Sequence, residues 1–194
     1  MARLIATPSQ TIGPFFRVGL WQPEWSDLTR HGAQGSTIHI EGSVLDGDGQ
    51  PVPDALVEIW QADERGIYAH ADDPRATPGD KLFRGFGRCG TDANGRYRFT
   101  TIFPGVVPGD DGAQQAPHVN MTIFARGMLR HVVTRLYFSD RAGQNASDAV
   151  LRSIEDAKAR ETLIARRVDT AGPTATYVFD VHLQGEGETA FFEI

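Results

Sequence analysis

The histidines are the first residues that could do chemistry, because a neutral imidazole can bind a metal or transfer a proton near neutral pH. His118 lies among apolar residues on a predicted strand, and no second histidine follows it two positions later. The other histidines in strand patterns, which also lack metal-ligand spacing, are His39, His131 and His182. A lone histidine on an apolar strand is more often a hydrogen-bonded core residue than a ligand. The residues by themselves therefore predict a structural role for His118.

The carboxylates and nucleophiles form no recognisable catalytic arrangement either. Glu58 and Asp63 flank Trp60, but the spacing places no second carboxylate there to complete an acid and base pair. The sequence has no Gly-x-Ser-x-Gly turn, phosphate-binding loop or dinucleotide-binding fingerprint. Cys89 falls in a predicted strand, where we expect a buried and unreactive thiol. These patterns assign no catalytic residue to the chain.

Alternation of apolar and polar residues predicts the strands that must position any site. Ile38, Ile40 and Val44 fall on one face of the first strand. The same alternation occurs at residues 55–60, 97–100, 119–123, 133–137 and 177–183. Turn residues at 46–49 and 92–95 separate neighbouring strands. Short strands joined by such turns predict an all-β fold with an antiparallel β-sandwich core.

One short helical excursion interrupts the strand pattern. Ser147 is the expected N-cap, and Val150, Ile154 and Ala157 follow it at helical spacing. Residues 155–167 are highly charged and fit either a loop or a second short helix.

Both ends of the chain are rich in aromatic residues. Residues 1–35 form a predicted N-terminal arm that mixes prolines with aromatic residues and shows no clear period, whereas residues 36–194 form the predicted β-sandwich domain. The arm can pack over its own domain or over another chain, since apolar clusters that one domain leaves exposed usually mark interfaces. The last residues include Phe191, Phe192 and Ile194, which predict a final strand or a docked C-terminal tail.

Composition limits the classes of function. The 194 residues carry 40% hydrophobic and 23% charged residues, as in ordinary globular domains, and are enough for one domain with a sizeable core. The formal net charge of -6 argues against nucleic acid as a partner. Cys89 is the single cysteine, so no internal disulfide can form. No apolar run has the length of a membrane span and no signal peptide is visible, so the cytoplasm is the expected location.

Ordered short motifs add a resemblance to a known family. They are Trp60-Gln61-Ala62-Asp63, Phe86-Gly87-Arg88, Thr91-Asp92, Thr101-Ile102-Phe103-Pro104-Gly105, Ala116-Pro117-His118-Val119-Asn120 and Arg135-Leu136-Tyr137-Phe138. In this order and at these spacings the chain resembles the intradiol ring-cleaving dioxygenases. The resemblance implies a frame in which two tyrosines and two histidines hold a catalytic ferric ion.

The resemblance also implies that this chain has lost most of those ligands. Arg75 stands near the position of the first tyrosine, and Val107 replaces the second. His118 keeps the first histidine, whereas Asn120 replaces the second. Gln115 stands where the family has an arginine thought to orient the substrate. Valine cannot bind a metal, arginine adds positive charge and asparagine is a poor ferric ligand, so we expect this chain alone to bind no metal.

The resemblance implies a homologous companion chain that carries the non-haem Fe(III), with the two chains assembled into a higher-order oligomer, and such a companion would explain the missing ligands. A small aromatic substrate and O2 would react there, with insertion of both oxygen atoms into the ring. In this interpretation Thr11, Gly13, Pro14 and Arg126 of the present chain help to form the mouth of the companion's site. No nucleic acid or membrane partner is expected.

Two alternatives remain open at this stage. The chain could be a self-sufficient metalloenzyme with other ligands, such as His118, His70, Asp72 and Asp73. It could also be a non-enzymatic β-sandwich binding module, although such a module would leave the aromatic arm and tail unexplained.

Overall fold

The computed structural model describes residues 5–76, 83–109, 112–168 and 172–193. β-Structure dominates these residues, as the alternation predicts. The strands are β1 (Thr37–Leu45), β2 (Leu56–Trp60), β3 (Phe86–Gly90), β4 (Arg96–Ile102), β5 (Val107–Pro108), β6 (Gln114–Gln115), β7 (His118–Phe124), β8 (Val132–Phe138), β9 (Ile164–Val168), β10 (Ala175–Val178) and β11 (Val181–His182).

Nine of the described strands belong to one sheet, and its pairing corrects the expectation of an antiparallel core. The order is β11-β1-β10-β9-β8-β7-β2-β3, with β4 paired to β1, while β5 and β6 form a separate pair. β1 runs parallel to β10 and β11, and β8 runs parallel to β9. The sheet is therefore mixed, because long connections allow sequence-distant strands to pair in parallel. A sandwich layering of this sheet stays a prediction.

The last predicted strand is in fact two. β10 ends at Val178 and β11 begins at Val181, both against β1. Between them, the Asp180 carboxylate accepts a hydrogen bond from the Ser43 backbone N–H at 2.8 Å. The Asp180 side chain thus replaces a backbone carbonyl as the acceptor between the two strands. The alternation of apolar residues cannot predict such an interruption.

The helices also differ from the prediction. The helical excursion between β8 and β9 contains three short helices, α2 (Ala142–Ser147), α3 (Ala149–Ser153) and α4 (Ala157–Glu161). Ser147 is the last residue of α2 and not an N-cap. Asp148 and Asp156 have extended backbones and cap α3 and α4 through their carboxylates. These aspartates break one predicted helix into separate turns. Within residues 155–167, α4 is the second short helix that was one of the two expectations, whereas β9 was not expected there.

The arm has regular structure that its sequence period does not show. Within it lie α1 (Pro14–Leu20) and a 3₁₀ helix (Pro23–Ser26), each with a proline in its first turn. Phe16 packs against Phe124 with ring centroids 5.3 Å apart, and Leu28 N–H donates to the Thr100 carbonyl at 2.9 Å. Phe15 and Val18 nevertheless remain 84% and 66% exposed. The arm therefore contacts its own domain on one side and presents apolar side chains on the other.

The C-terminal residues lie along β8. Phe192 N–H donates to the Val133 carbonyl at 2.8 Å, and the Thr134 hydroxyl donates to the Ala190 carbonyl at 2.7 Å. No helix within the described residues is long and apolar enough to span a membrane.

Loss of one buried hydroxyl is expected to weaken the contact between β4 and the connection from β10 to β11. Tyr97 is 3% exposed, and its hydroxyl donates to the Phe179 carbonyl at 2.5 Å. Burial raises its pKa well above the ordinary value, so the hydroxyl stays a donor. We expect Tyr97→Phe to lower the free energy of unfolding by about 1–2 kcal/mol, because the packing survives and the carbonyl loses its partner. Urea unfolding with an unchanged m-value would measure this, and a change below about 0.3 kcal/mol would contradict it.

Candidate functional site

Three of the four degenerate ligand positions, Arg75, Val107 and His118, line one cavity of about 910 Å³, and the fourth, Asn120, is hydrogen-bonded to Arg135 of the lining. The register of three neighbouring strands brings the residues of one wall of the cavity side by side. Trp60 of β2 lies opposite Asn120 of β7, and Asn120 lies opposite Arg135 of β8. Loops and the short strand β5 complete the lining with Tyr68, Arg75 and Val107, while His118 enters from the start of β7. Residues that are distant in sequence thus face one space.

His118 is held as a neutral, hydrogen-bonded core residue. It is 2% exposed, with Nδ1 2.8 Å from the Ala116 carbonyl and Nε2 3.2 Å from the Tyr68 hydroxyl. Since a carbonyl can only accept, Nδ1 carries the proton and Nε2 accepts from Tyr68. Burial, and then the charge of Arg135, lower the pKa of His118 to about 4. Both ring nitrogens of His118 therefore have a hydrogen-bond partner within this chain.

Asn120 belongs to a polar network that includes Tyr68 and Arg135. Its amide nitrogen lies 3.4 Å from the Tyr68 hydroxyl, and its Oδ1 accepts from Arg135 Nε at 3.0 Å. Arg135 Nη1 also donates to Gln115 Oε1 at 2.8 Å. Two neutral amide oxygens therefore fix the plane of the Arg135 guanidinium.

Arg75, which also lines the cavity, is held by an ion pair. Its Nη2 lies 2.7 Å from Asp73 Oδ2, and its Nε donates to Asp73 Oδ1 at 2.9 Å. Asp73 also accepts from the Tyr68 backbone N–H at 3.0 Å. The hydrogen bonds from Arg75 lower the pKa of Asp73 to about 2. This pair fixes the loop that carries Tyr68.

The residues at this cavity do not fit a ferric ion. Val107 offers no donor atom, Arg75 and Arg135 are cations, and both nitrogens of His118 are already hydrogen-bonded. The alternative ligand set places His70, Asp72 and Asp73 on the same cavity. Among residues 5–76, 83–109, 112–168 and 172–193, however, no group of three or more His, Cys, Asp or Glu side chains could hold a metal ion.

The four predicted mouth residues lie near one another on a different surface. The Gly127 N–H donates to the Thr11 hydroxyl at 2.8 Å, which attaches the arm beside Arg126. Gly13 is the N-cap of α1, and Pro14 is its first residue. Arg126 is half exposed, with its Nη2 3.6 Å from Asp54 Oδ2.

The sequence reasoning missed the parts played by Arg135 and Asp148. Arg135 follows a strand pattern that gives no sign of its neighbours Gln115 and Asn120. Asp148 is fully buried behind the cavity, where its carboxylate accepts from Ala116 N, Leu151 N and the Tyr137 hydroxyl. Aspartate before an apolar helical pattern was an available N-cap signal, whereas its burial was not foreseeable. Cys89 is buried as expected, and burial raises the pKa of its thiol.

Comparison with known proteins defines the class. A family model described as "Dioxygenase" matches residues 14–185. The chain therefore belongs to the intradiol dioxygenase family, as its motifs predict.

Individual proteins of this family are similar to the chain in sequence and in structure. The chain is 43% identical to the protocatechuate 3,4-dioxygenase alpha chain of Pseudomonas putida, over 96% of each chain. It is 38% identical to the protocatechuate 3,4-dioxygenase beta chain of Burkholderia cepacia, over 84% of this chain and 73% of the relative. A solved dioxygenase domain from Streptomyces sp. SirexAA-E superposes with a TM-score of 0.62 at 26% identity, covering 95% of this chain and 99% of that one.

Proposed function

We propose that this chain is the alpha subunit of a protocatechuate 3,4-dioxygenase and acts as scaffold and active-site mouth for an iron-bearing beta subunit. The complex would convert protocatechuate and O2 into 3-carboxy-cis,cis-muconate, a step in the breakdown of aromatic compounds. The observation that carries the proposal is that Arg75, Val107 and His118 line one cavity, with Asn120 hydrogen-bonded to Arg135 at its wall, and that these side chains suit no ferric ion.

A homologous companion accounts for the non-haem Fe(III). The similarity of this chain to both an alpha and a beta chain supports two subunits with related folds. Related folds can pack around an approximate two-fold axis, so one subunit can lose its metal and still keep the interface. Several such pairs would form the higher-order oligomer.

The arm and the C-terminal tail would supply much of that interface. Large apolar side chains of the arm lie exposed on this chain, with Ile5 at 92% and Phe15 at 84%. Exposed apolar groups of this kind are costly in water and favour burial against a second protein.

The mouth of the companion's site would be formed by Thr11, Gly13, Pro14 and Arg126. Protocatechuate is an anion, and the half-exposed guanidinium of Arg126 could attract it. The hydrogen bond between Gly127 and Thr11 supports this assignment, because it places the start of the arm beside Arg126.

Expression of the chain with and without a candidate beta chain tests the proposal. We expect the chain alone to contain no stoichiometric iron and to lack the visible tyrosinate-to-iron charge-transfer band. The pair should co-purify, contain iron, show the band and consume O2 with protocatechuate. Stoichiometric iron and colour in the chain alone would refute the proposal, and failure to form any hetero-complex would favour a non-enzymatic binding module.

Removal of the Arg126 charge should slow substrate capture by the complex. We expect Arg126→Ala to lower kcat/KM for protocatechuate about tenfold at low ionic strength and by less at high salt, because salt screens attraction between exposed charges. Asp54→Asn is the matched control, since it keeps Arg126 but removes its acidic neighbour, and it should leave kcat/KM unchanged or higher. An Arg126→Ala complex with unaltered kcat/KM at both salt concentrations would rule out the steering role.

A further inference from the structure

Arg135 is a cation without a carboxylate partner in the described part of the chain. The ion pairs of these residues do not include it. Its hydrogen bonds go to the neutral amides of Asn120 and Gln115, at 3.0 and 2.8 Å. These contacts orient the guanidinium without neutralising it, and it still borders the cavity. A fixed, half-buried guanidinium is well suited to bind a carboxylate.

The other arginine of the described lining has a carboxylate partner, whereas Arg135 has none. Arg75 is paired with Asp73, and His70 lies 3.5 Å from the largely exposed Asp72. Asp148 lies behind the wall and accepts from three uncharged donors, one of which is the Tyr137 hydroxyl that Arg135 also contacts. His118 is neutral above about pH 4 because burial and Arg135 lower its pKa. Arg135 is therefore the arginine of the described lining that forms no direct ion pair.

The wall beside Arg135 is aromatic. The rings of Trp60 and Tyr68 are stacked, with centroids 5.7 Å apart and planes 15° apart. Val107 and Pro108 add apolar surface to the lining. The cavity of about 910 Å³ is large enough for a small aromatic molecule.

We propose that this cavity binds a small aromatic monocarboxylate, with the carboxylate on the Arg135 guanidinium and the ring against Trp60 and Tyr68. Binding would need neither a metal nor a covalent step. This site uses only residues of the present chain. A chain that forms no complex with a beta chain could therefore still bind the carboxylate, and a chain that binds no carboxylate could still be the alpha subunit.

Titration of the full-length chain with benzoate, followed by calorimetry and by ligand-observed NMR, tests the site. We expect saturable binding of one benzoate per chain. Benzyl alcohol, which lacks the charge, should bind at least about tenfold more weakly, because a hydrogen-bonded ion pair contributes on the order of 1.5 kcal/mol or more. Cyclohexanecarboxylate, which lacks the aromatic ring, should bind about threefold or more weakly.

Variants then assign the contacts. Arg135→Gln should weaken benzoate binding at least about tenfold, and Trp60→Leu should weaken it about threefold or more. Arg98→Gln is the matched control, because Arg98 is an exposed strand arginine paired with Glu41 outside the cavity lining. It should bind benzoate like the unaltered chain.

Several results would overturn the site. They are the absence of saturable benzoate binding, equal affinity for benzyl alcohol and benzoate, and an Arg135→Gln variant with unchanged affinity. If Arg135→Gln fails to fold, the comparison of ligands and the Trp60→Leu variant test the site. Equal affinity for benzoate, benzyl alcohol and cyclohexanecarboxylate would then reject the proposal.

Discussion

Replacement of Asp148 with alanine is expected to lower the free energy of unfolding by about 3–5 kcal/mol. The Asp148 carboxylate is fully buried and accepts from Ala116 N at 2.8 Å, Leu151 N at 3.0 Å and the Tyr137 hydroxyl at 3.1 Å. Alanine would leave three donors without a partner in an apolar region, and each buried unsatisfied group costs about 1–3 kcal/mol. Urea unfolding of the full-length chain measures the change.

Asp156 offers a matched control for this substitution. It also caps a five-residue helix, through a 2.8 Å hydrogen bond from Lys158 N, but it is exposed. Asp156→Ala should therefore cost about 1 kcal/mol or less, because water can replace the lost acceptor. Equal costs for the two substitutions would show that burial of Asp148 adds nothing beyond helix capping.

The Asp148 substitution should also loosen the cavity. The Ala116 carbonyl accepts from His118, while the Ala116 N–H donates to Asp148. One peptide segment therefore connects α3 to the histidine, and its release should increase hydrogen exchange at the start of β7.

Protonation of His118 is expected to make stability depend on pH between about 6.5 and 4. The folded chain holds the pKa of His118 at about 4, against 6.5 for an ordinary histidine. Above pH 6.5 the imidazole is neutral in both states and has no effect. As the pH falls toward 4, the unfolded state binds a proton that the folded state does not, so the folded state loses stability. The loss should reach roughly 3 kcal/mol, at about 1.4 kcal/mol per pH unit.

His118→Gln isolates this contribution, because glutamine keeps hydrogen-bonding capacity but does not titrate. Unfolding free energies of the variant and the unaltered chain, measured from pH 7 to pH 4, should converge as the pH falls. Other groups titrate in both proteins and cancel in the difference. A constant difference across this range would mean that His118 has the same pKa in the folded and unfolded states.

Local sequence predicted the strands well and their partners poorly. Alternating residues such as Ile38, Ile40 and Val44 are buried in β1, because side chains in a strand point to opposite faces whatever the neighbour. The parallel pairing of β1 with β10 was not foreseeable, since it joins residues more than 130 positions apart. The prediction of Ser147 as the N-cap was wrong for a similar reason. Ser147 and Asp148 are adjacent and both residue types can cap a helix, so only packing decides which of them does.

For the candidate site, too, the sequence predicted some features and only the tertiary structure showed the others. The sequence by itself determined the family and the side chains that stand at the four ligand positions, because residue type alone decides that Val107 has no ligand atom and that Arg75 is a cation. The tertiary structure alone decided which charged group borders the cavity. Arg135 borders the cavity, two neutral amides orient it and no described carboxylate pairs with it, because strand register and loop closure bring these groups together. Charge balance within a cavity depends on distances across the fold, and a linear pattern does not encode them.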